Sequence, residues 1–441
     1  MNIGTGRVLP ARLRRRVVAP GSALSWYGLA IFTFFCVTAR LPPLFTELGI
    51  YLALLGLVVY PQGLAFPPPL RWAVVFLLWT LMSALFAVDP DTAWPALIER
   101  LKSLVIFFVV VNVLRTPQQL RFYALLILVA FAIYPARGSL INYVRGNTYL
   151  GRAVWNQIYI NPNYLGALTL LMFGLALAIA TVKTQDVWVR RAAAAFAPVL
   201  LLIILLTQSR GVFLGLLVGF GPPLLARLRK RPSGTTPVLA VLAVIALLVP
   251  AASWHRLGGI TNLTTTLAEA DKKVGPPGSG GQLDQLAAVS ARDRFEVLKT
   301  GLRIAVSHPV LGVGIGGYRE ANMRLAPRLG ERDAHNTYVS LAAEIGFPGL
   351  LLWLGLVGSV LARVRRRRAR LEADDRTIQV LWIERAVIGF LVAGFFATSA
   401  DLTMLYLFLG ILWAASNMLG HDATEPAEAT VPPGRRTLRA R

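Results

Sequence analysis

Long apolar runs separated by short basic connections set the first limit on what this chain can fold into. A run of roughly 20 apolar residues crosses the hydrocarbon core of a bilayer as a helix, because the helix satisfies its own backbone polar groups. The pattern predicts about twelve such helices, at 24–40, 44–60, 71–88, 97–114, 119–135, 163–182, 192–208, 211–226, 237–254, 336–362, 378–398 and 402–419. Several runs are shorter than a full span, and the breaks at 41–43 and 209–210 are tight. Composition agrees: 55% of the 441 residues are apolar and 15% are charged, against about 25% charged in an ordinary soluble domain. The expected fold class is an all-α polytopic membrane protein. Disorder and collagen are excluded by the same numbers, and the single cysteine, Cys36, excludes an internal disulfide.

The net charge of +23 is distributed by side. With the N-terminus inside, the clusters at Arg12–Arg16, Arg115 and Arg121, Lys183–Arg191, Arg227–Arg231, Arg363–Arg376 and Arg435–Arg441 all fall on the cytoplasmic face. This is the positive-inside pattern, and it is lost if one span is removed. The arginine runs therefore read as topology signals and contacts to anionic membrane lipids, with no nucleic-acid partner. The basic start precedes an apolar run without a small-residue cleavage site, so a first membrane anchor is expected there.

This plan gives a basic cytoplasmic N-terminus at 1–23 and nine helices within 24–254, with an external loop at 136–162. A large external loop at 255–335 precedes three helices within 336–419 and a disordered cytoplasmic tail at 420–441. Within the large loop, GPPGSGG at 275–281 reads as a hinge. A helix is predicted from Ser290 to Ser307, capped by Ser290, ended by Pro309 and presenting Phe295, Leu298, Leu302, Ala305 and Val306 on one apolar face. That face is expected on the membrane domain or at the interface. The glycine-rich LGVGIGGY at 311–318 is not a Walker loop and reads as a turn.

A few polar residues stand out against this apolar background. His335 and Asn336 lie where a helix begins at the external water interface. A lone histidine is commonly structural, and no second His or Cys stands at zinc-ligand spacing, so no metal site is expected. Arg210 lies between two apolar runs without an acidic neighbour in sequence, a costly placement unless the side chain snorkels or meets an anion. The pair Glu384–Arg385 falls within a run and reads as structural.

Three separated motifs resemble the superfamily of O-antigen ligases and O-antigen polymerases. They are NPNYLG at 161–166, SRGVFLG at 209–215, and a third block beginning at Arg294. That block continues through HPVLGVGIGGY at 308–318 to HNTYVSLAAEIGFPGLLLW at 335–353. The resemblance covers roughly residues 150–355, in the same order, and the His335 segment is its most specific part. It implies a GT-C-like glycosyltransferase of the bacterial inner membrane, with the large loop periplasmic and both termini cytoplasmic. Such an enzyme takes a glycan from undecaprenyl diphosphate without a metal or cofactor. Ligases deliver it to a sugar hydroxyl of lipid A–core, and polymerases to another lipid-linked repeat. The resemblance maps the family's functional residues onto Arg210, Arg294 and His335. The tryptophan usual four residues after the loop arginine is Leu298 here, which leaves Arg292 as an alternative to Arg294.

The chemistry of these residue types agrees with that implication. Cleaving a sugar–phosphate bond places charge on the departing diphosphate, and guanidinium groups match phosphate oxygens in bidentate fashion. An imidazole titrating near neutrality suits a general base for the acceptor hydroxyl, and equally a ligand for a phosphate oxygen. Direct displacement would invert the anomeric centre, since no carboxylate pair presents itself for retention. Asn161, Asn163, Asn336 and Tyr338 are candidates to orient sugar or phosphate, or else to cap helices. The late position of the large loop and the short basic tail favour a ligase over a polymerase or a protein O-oligosaccharyltransferase. A lipid flippase is the competing class, against which stands the lack of an evident repeat between halves.

Overall fold

The computed structural model describes residues 23–39, 43–61, 64–183, 186–230, 282–371 and 374–419. The run at 237–254, the hinge at 275–281, the N-terminal segment before 23 and the tail from 420 lie outside the described residues. Helices occupy the other eleven predicted runs: α1 (Ala23–Thr38), α2 (Pro43–Val59), α3 (Pro68–Leu85), α4 (Pro90–Val113) and α5 (Pro117–Phe131). A π-helical turn at Ala132–Ala136 joins α5 to α6 (Arg137–Val144). Then come α7 (Pro162–Thr181), α8 (Val187–Leu206) and α9 (Arg210–Lys230). The large loop contributes α10 (Gln282–Ser307) and α11 (Tyr318–Leu325), followed by α12 (Thr337–Arg368), α13 (Asp375–Ala393) and α14 (Thr403–Asn417). Among the described residues there is no strand, only an isolated bridge between Tyr149 and Arg152. Among the described residues, six helices are long and apolar enough to cross a membrane: α3, the α5–α6 rod, α7, α8, α9 and α12. The protein is an all-α, multi-pass membrane protein.

Local sequence sets where the helices start. Proline at the first helical position needs no N–H partner there, and a short polar residue before it caps the next donors. Asp89 before Pro90 accepts from Asp91 N, and Asn161 before Pro162 accepts from Asn163 N. Thr116 and Gln119 form a reciprocal capping box around Pro117. Asp374 accepts from Thr377 N and starts α13 at the opposite end of the bundle from Asn336.

In a bilayer, helices associate by close packing rather than by hiding apolar surface from water, so small residues mark the contacts. A Cβ on Gly215 would lie 2.3 Å from Gly389 O, and one on Gly174 would lie 2.4 Å from the Ala386 Cβ. These contacts bring α9 and α7 against α13. Gly28 and Gly49 do the same between α1 and α2, each Cβ position falling within 2.5 Å of backbone nitrogen on the other helix. The core is lined by Phe76, Phe107, Phe131, Trp353, Phe390, Tyr406 and Phe408.

α12 contains a break at Gly346, whose φ of 72° is left-handed, and Pro348 follows it. Proline has no N–H for the carbonyl four residues back, so the carbonyls before the break need other partners. They find them in the glycine-rich run. Val313 N donates to Ala343 O at 2.9 Å, and Gly314 N donates to Glu344 O at 3.0 Å. Ser83 Oγ also donates to Glu344 O, and Trp79 Nε1 donates to Ile345 O at 2.9 Å. The glycines at 312–316 therefore serve close backbone approach: a Cβ on Gly312 would lie 2.2 Å from the Glu344 carbonyl carbon. LGVGIGGY is a splice between the loop and the broken helix, more specific than an ordinary turn.

The loop helix corrects two expectations. α10 starts at Gln282, so Ser290 lies inside it and does not cap it. Its buried face is Val297, Thr300, Ile304 and Ala305, whereas Phe295, Leu302 and Val306 are exposed. Of the five residues expected on the membrane domain or at the interface, Ala305 is the one fully buried against the rest of the protein. The small Gly301 decides the orientation, since its Cβ position lies 2.6 Å from Val339 and 2.9 Å from Tyr318 Oη. The larger apolar residues point away from this contact, toward the surface.

Candidate active site

At the end of the bundle where α12 begins, the three motif segments converge. Asn336 caps α12, its side chain accepting from Tyr338 N at 3.0 Å and Val339 N at 3.1 Å. His335, immediately before the cap, has a φ of 50°. A left-handed conformation is costly for a non-glycine residue, and such strain concentrates at functional sites. The residues that follow hold this conformation in place. Thr337 N donates to Gly394 O at 2.8 Å, and Thr337 Oγ1 donates to Ala397 O at 2.7 Å. Tyr338 Oη donates to Leu391 O at 2.8 Å, and its ring lies 4.3 Å from that of Phe395.

The imidazole is partly buried, and burial together with the neighbouring Arg294 guanidinium lowers its pKa from 6.5 to about 4. Asp333 opposes this shift, while Arg332 and Arg319 reinforce it. The ring is therefore neutral at neutral pH. Two of the three principal candidates, Arg294 and His335, thus lie within electrostatic reach of each other although 41 positions separate them. Arg292 lies on α10, one turn short of the Gln282–Ser307 midpoint, and its side chain is outside the described residues.

Arg210 is the first residue of α9. The break before it is fixed from several sides. Gln208 has a φ of 49°, and its Nε2 donates to Gly151 O at 3.0 Å. Arg152, buried, donates from Nε to Thr207 O at 2.7 Å and from Nη2 to Asn163 Oδ1 at 2.8 Å. A single guanidinium thus joins the SRG turn to the NPNY turn. The start of α9 also meets the 394–402 segment, because a Cβ on Gly211 would lie 2.4 Å from the Phe396 Cβ. That segment is the one that grips Thr337, so Arg210 and His335 are held by a common support. Tyr164, in the first turn of α7, lies within electrostatic reach of Asp333, Asp401 and Arg319.

Several site-end residues escaped sequence reasoning. Arg152 lay within an external loop with nothing local to mark it. Arg319 pairs with Asp333 through two bonds, Nε–Oδ1 at 2.6 Å and Nη2–Oδ2 at 3.1 Å, which ties α11 to the segment before His335. Arg100 and Asp401 form an ion pair between residues 301 positions apart. Asn161 and Asn336 cap helices, Asn163 accepts from Arg152, and Tyr338 reaches Leu391.

Residues 193–354 match the family model described as O-antigen ligase. Over this stretch the chain is similar to the O-antigen ligase and polymerase superfamily. The matched stretch contains Arg210, Arg294 and His335, and it includes the whole splice between the glycine-rich run and α12. No curated protein matches the chain. Members of this superfamily are membrane glycosyltransferase-like enzymes that act on lipid-linked glycans.

Proposed function

We propose that the protein is an O-antigen ligase of the bacterial inner membrane. It moves a glycan from undecaprenyl diphosphate to a sugar hydroxyl of lipid A–core at the periplasmic face. In this reading the fold is GT-C-like with twelve spans, and both termini are cytoplasmic. The observation that carries the reading is Arg294 within electrostatic reach of His335, at the end of the bundle where the SRG and NPNY turns are also tied together. The large external loop late in the chain favours the ligase over the polymerase.

Arg210 and Arg294 are assigned to the diphosphate, whose leaving oxygen gains charge as the anomeric bond breaks. Donors aimed at such developing charge are each worth about 10²–10³ in rate. His335 is assigned as base for the acceptor hydroxyl, with attack on the opposite face of the sugar inverting the anomeric configuration. Its low pKa follows from burial and the adjacent Arg294 charge. A bound diphosphate offsets that charge and raises the basicity of the imidazole. The base is therefore strongest when the donor is in place. No metal or cofactor is assigned a role. Asn161, Asn163, Asn336 and Tyr338 set the positions of these groups through the hydrogen bonds described above.

Deletion of the gene tests the reading through lipopolysaccharide gels and analysis of undecaprenyl-linked glycans. The expected result is lipid A–core without O-antigen beside accumulated long lipid-linked chains. Core bearing one repeat, with only single repeats on the carrier, would identify a polymerase instead. Arg210→Ala, Arg294→Ala and His335→Ala are each expected to abolish complementation at normal protein levels. Normal transfer by Arg294→Ala would shift that role to Arg292. Lipid translocation without a new glycosidic bond, in a purified-protein assay, would identify a flippase.

A further inference from the structure

We infer that Arg100 and Asp401 form a positioning pair that holds the 394–402 segment, and through it sets His335 and Arg210 relative to each other; this rests on the glycan-transfer reading. Arg100 lies on α4 and is 3% exposed. A buried guanidinium in a membrane helix is retained only where it is paired and hydrogen-bonded. Its hydrogen-bond partners Ala400, Asp401 and Tyr406 lie on one short stretch. Nη2 donates to the Asp401 carboxylate, and Nη1 donates to Ala400 O at 3.3 Å and to Tyr406 Oη at 3.0 Å. The guanidinium also lies over the face of Phe76, 5.6 Å from the ring centroid. Neighbouring bonds fix the same stretch: Trp353 Nε1 donates to Tyr406 Oη at 3.2 Å, and Ser103 Oγ lies 3.3 Å from Thr403 Oγ1.

The other half of the segment carries the site. Thr337, two residues after His335, bonds Gly394 O and Ala397 O, and Ser399 N donates to Thr337 Oγ1 at 2.9 Å. Phe396 lies against Gly211, next to Arg210. One segment of nine residues therefore touches the neighbour of the candidate base, the neighbour of a candidate diphosphate arginine, and the pair on α4. The 394–402 segment is not a helix, so the order imposed on it must come from these side chains. The Asp401 carboxylate also lies in electrostatic reach of Tyr164, in the NPNY motif, and of Glu344 on α12. Asp401 and Arg100 are not assigned contact with substrate; they act through the backbone that they anchor.

The test uses the full-length protein in nanodiscs, as wild type, Asp401→Asn, and the double variant Arg100→Met/Asp401→Asn. The double variant removes the unpaired buried cation, so it retains a route to folding if the single variant fails. Two readouts are taken on folded protein: glycan transfer from an undecaprenyl-diphosphate-linked donor, and diethylpyrocarbonate modification mapped to His335 by mass spectrometry. Loosening the segment is expected to speed modification of His335 and to lower turnover by about 10²-fold at unchanged donor KM. His335 modified at the wild-type rate, with turnover per folded protein unchanged, would overturn the inference. So would a loss of folded protein in both variants with unchanged turnover in the folded remainder. If wild type forms no glycosidic bond while the variants still expose His335, the positioning role stands and the transfer reading falls.

Discussion

Two ion pairs in the bundle are built with opposite sense. Near the start of α12, the cation is buried: the Arg100 side chain is 2% exposed and its partner Asp401 is 59% exposed. Near the end of α12, the anion is buried: Glu384 is 0% exposed, while Arg365 and Arg368 are 57% and 25% exposed. Glu384 Oε1 accepts from Arg365 Nε at 2.9 Å, and Oε2 accepts from Arg368 Nε at 3.2 Å. Two arginines share the buried carboxylate there, whereas a single carboxylate serves the buried guanidinium at the other end. The difference is instructive because the exposed partner, not the buried one, is the dangerous residue to remove. Losing it leaves a charge in a medium that cannot solvate it.

The largest expected effect follows directly. Asp401→Asn strands the Arg100 charge and should destabilise the protein by about 3–5 kcal/mol, read as a drop in melting temperature in detergent. If its melting point matches that of Glu384→Gln, the asymmetry between the two pairs is wrong.

His335 sharpens the same comparison, since it sits at the end where cations are close-packed. Its pKa of about 4 lies below the 6.5 of a free imidazole, so the unfolded chain takes up a proton first as pH falls. The stability this group contributes is complete above about pH 6.5 and is lost as pH falls toward 4. Arg294→Gln removes a like charge and should move the His335 midpoint upward, as should undecaprenyl diphosphate bound to the wild type. Histidine NMR or site-resolved modification against pH would detect both shifts. A midpoint unaffected by Arg294→Gln would remove that arginine from the neighbourhood of the ring.

Smaller effects are expected elsewhere. Glu384→Gln removes the buried charge and leaves two arginines able to reach solvent, so a cost of about 1–2 kcal/mol is expected, with turnover unchanged. Reduced turnover at normal folding would show that the two ends of α12 are coupled. Asn336→Ala removes the cap of α12 and should cost about 1 kcal/mol. A thermal melt comparing it with Asn161→Ala separates the α12 cap from the α7 cap.

Much of the fold was legible because its signals are local. Apolar runs gave the helices, whereas a polar cap before proline moved a start such as that of α4, which begins at Pro90 although its apolar run begins at 97. The loop helix shows where this reading fails. Phe295, Leu302 and Val306 have helical spacing, yet Gly301 turns the helix so that Val297 and Ile304 pack instead. Periodicity reports that an apolar face exists, but the neighbour's shape selects which face is used. The candidate site divides in the same way. Arg210, Arg294 and His335 were visible as polar residues out of place and as motif positions. The Arg152 clamp and the Arg319–Asp333 pair were not, because each joins short segments distant in sequence with no periodic pattern to betray them.

By itself, the sequence determined the solvent and the repertoire: a bilayer, helices, a basic side, and a histidine and arginines suited to a diphosphate. Tertiary structure decided which of those groups meet. Arg294 comes within electrostatic reach of His335, while α10 packs at Gly301 against Val339 and Tyr318, and the glycine-rich run finds its role only against the carbonyls released at Gly346 and Pro348. Arg100 finds Asp401 across 301 positions of chain. Sequence spacing sets local geometry over a few turns, whereas encounters of this length depend on how whole helices pack.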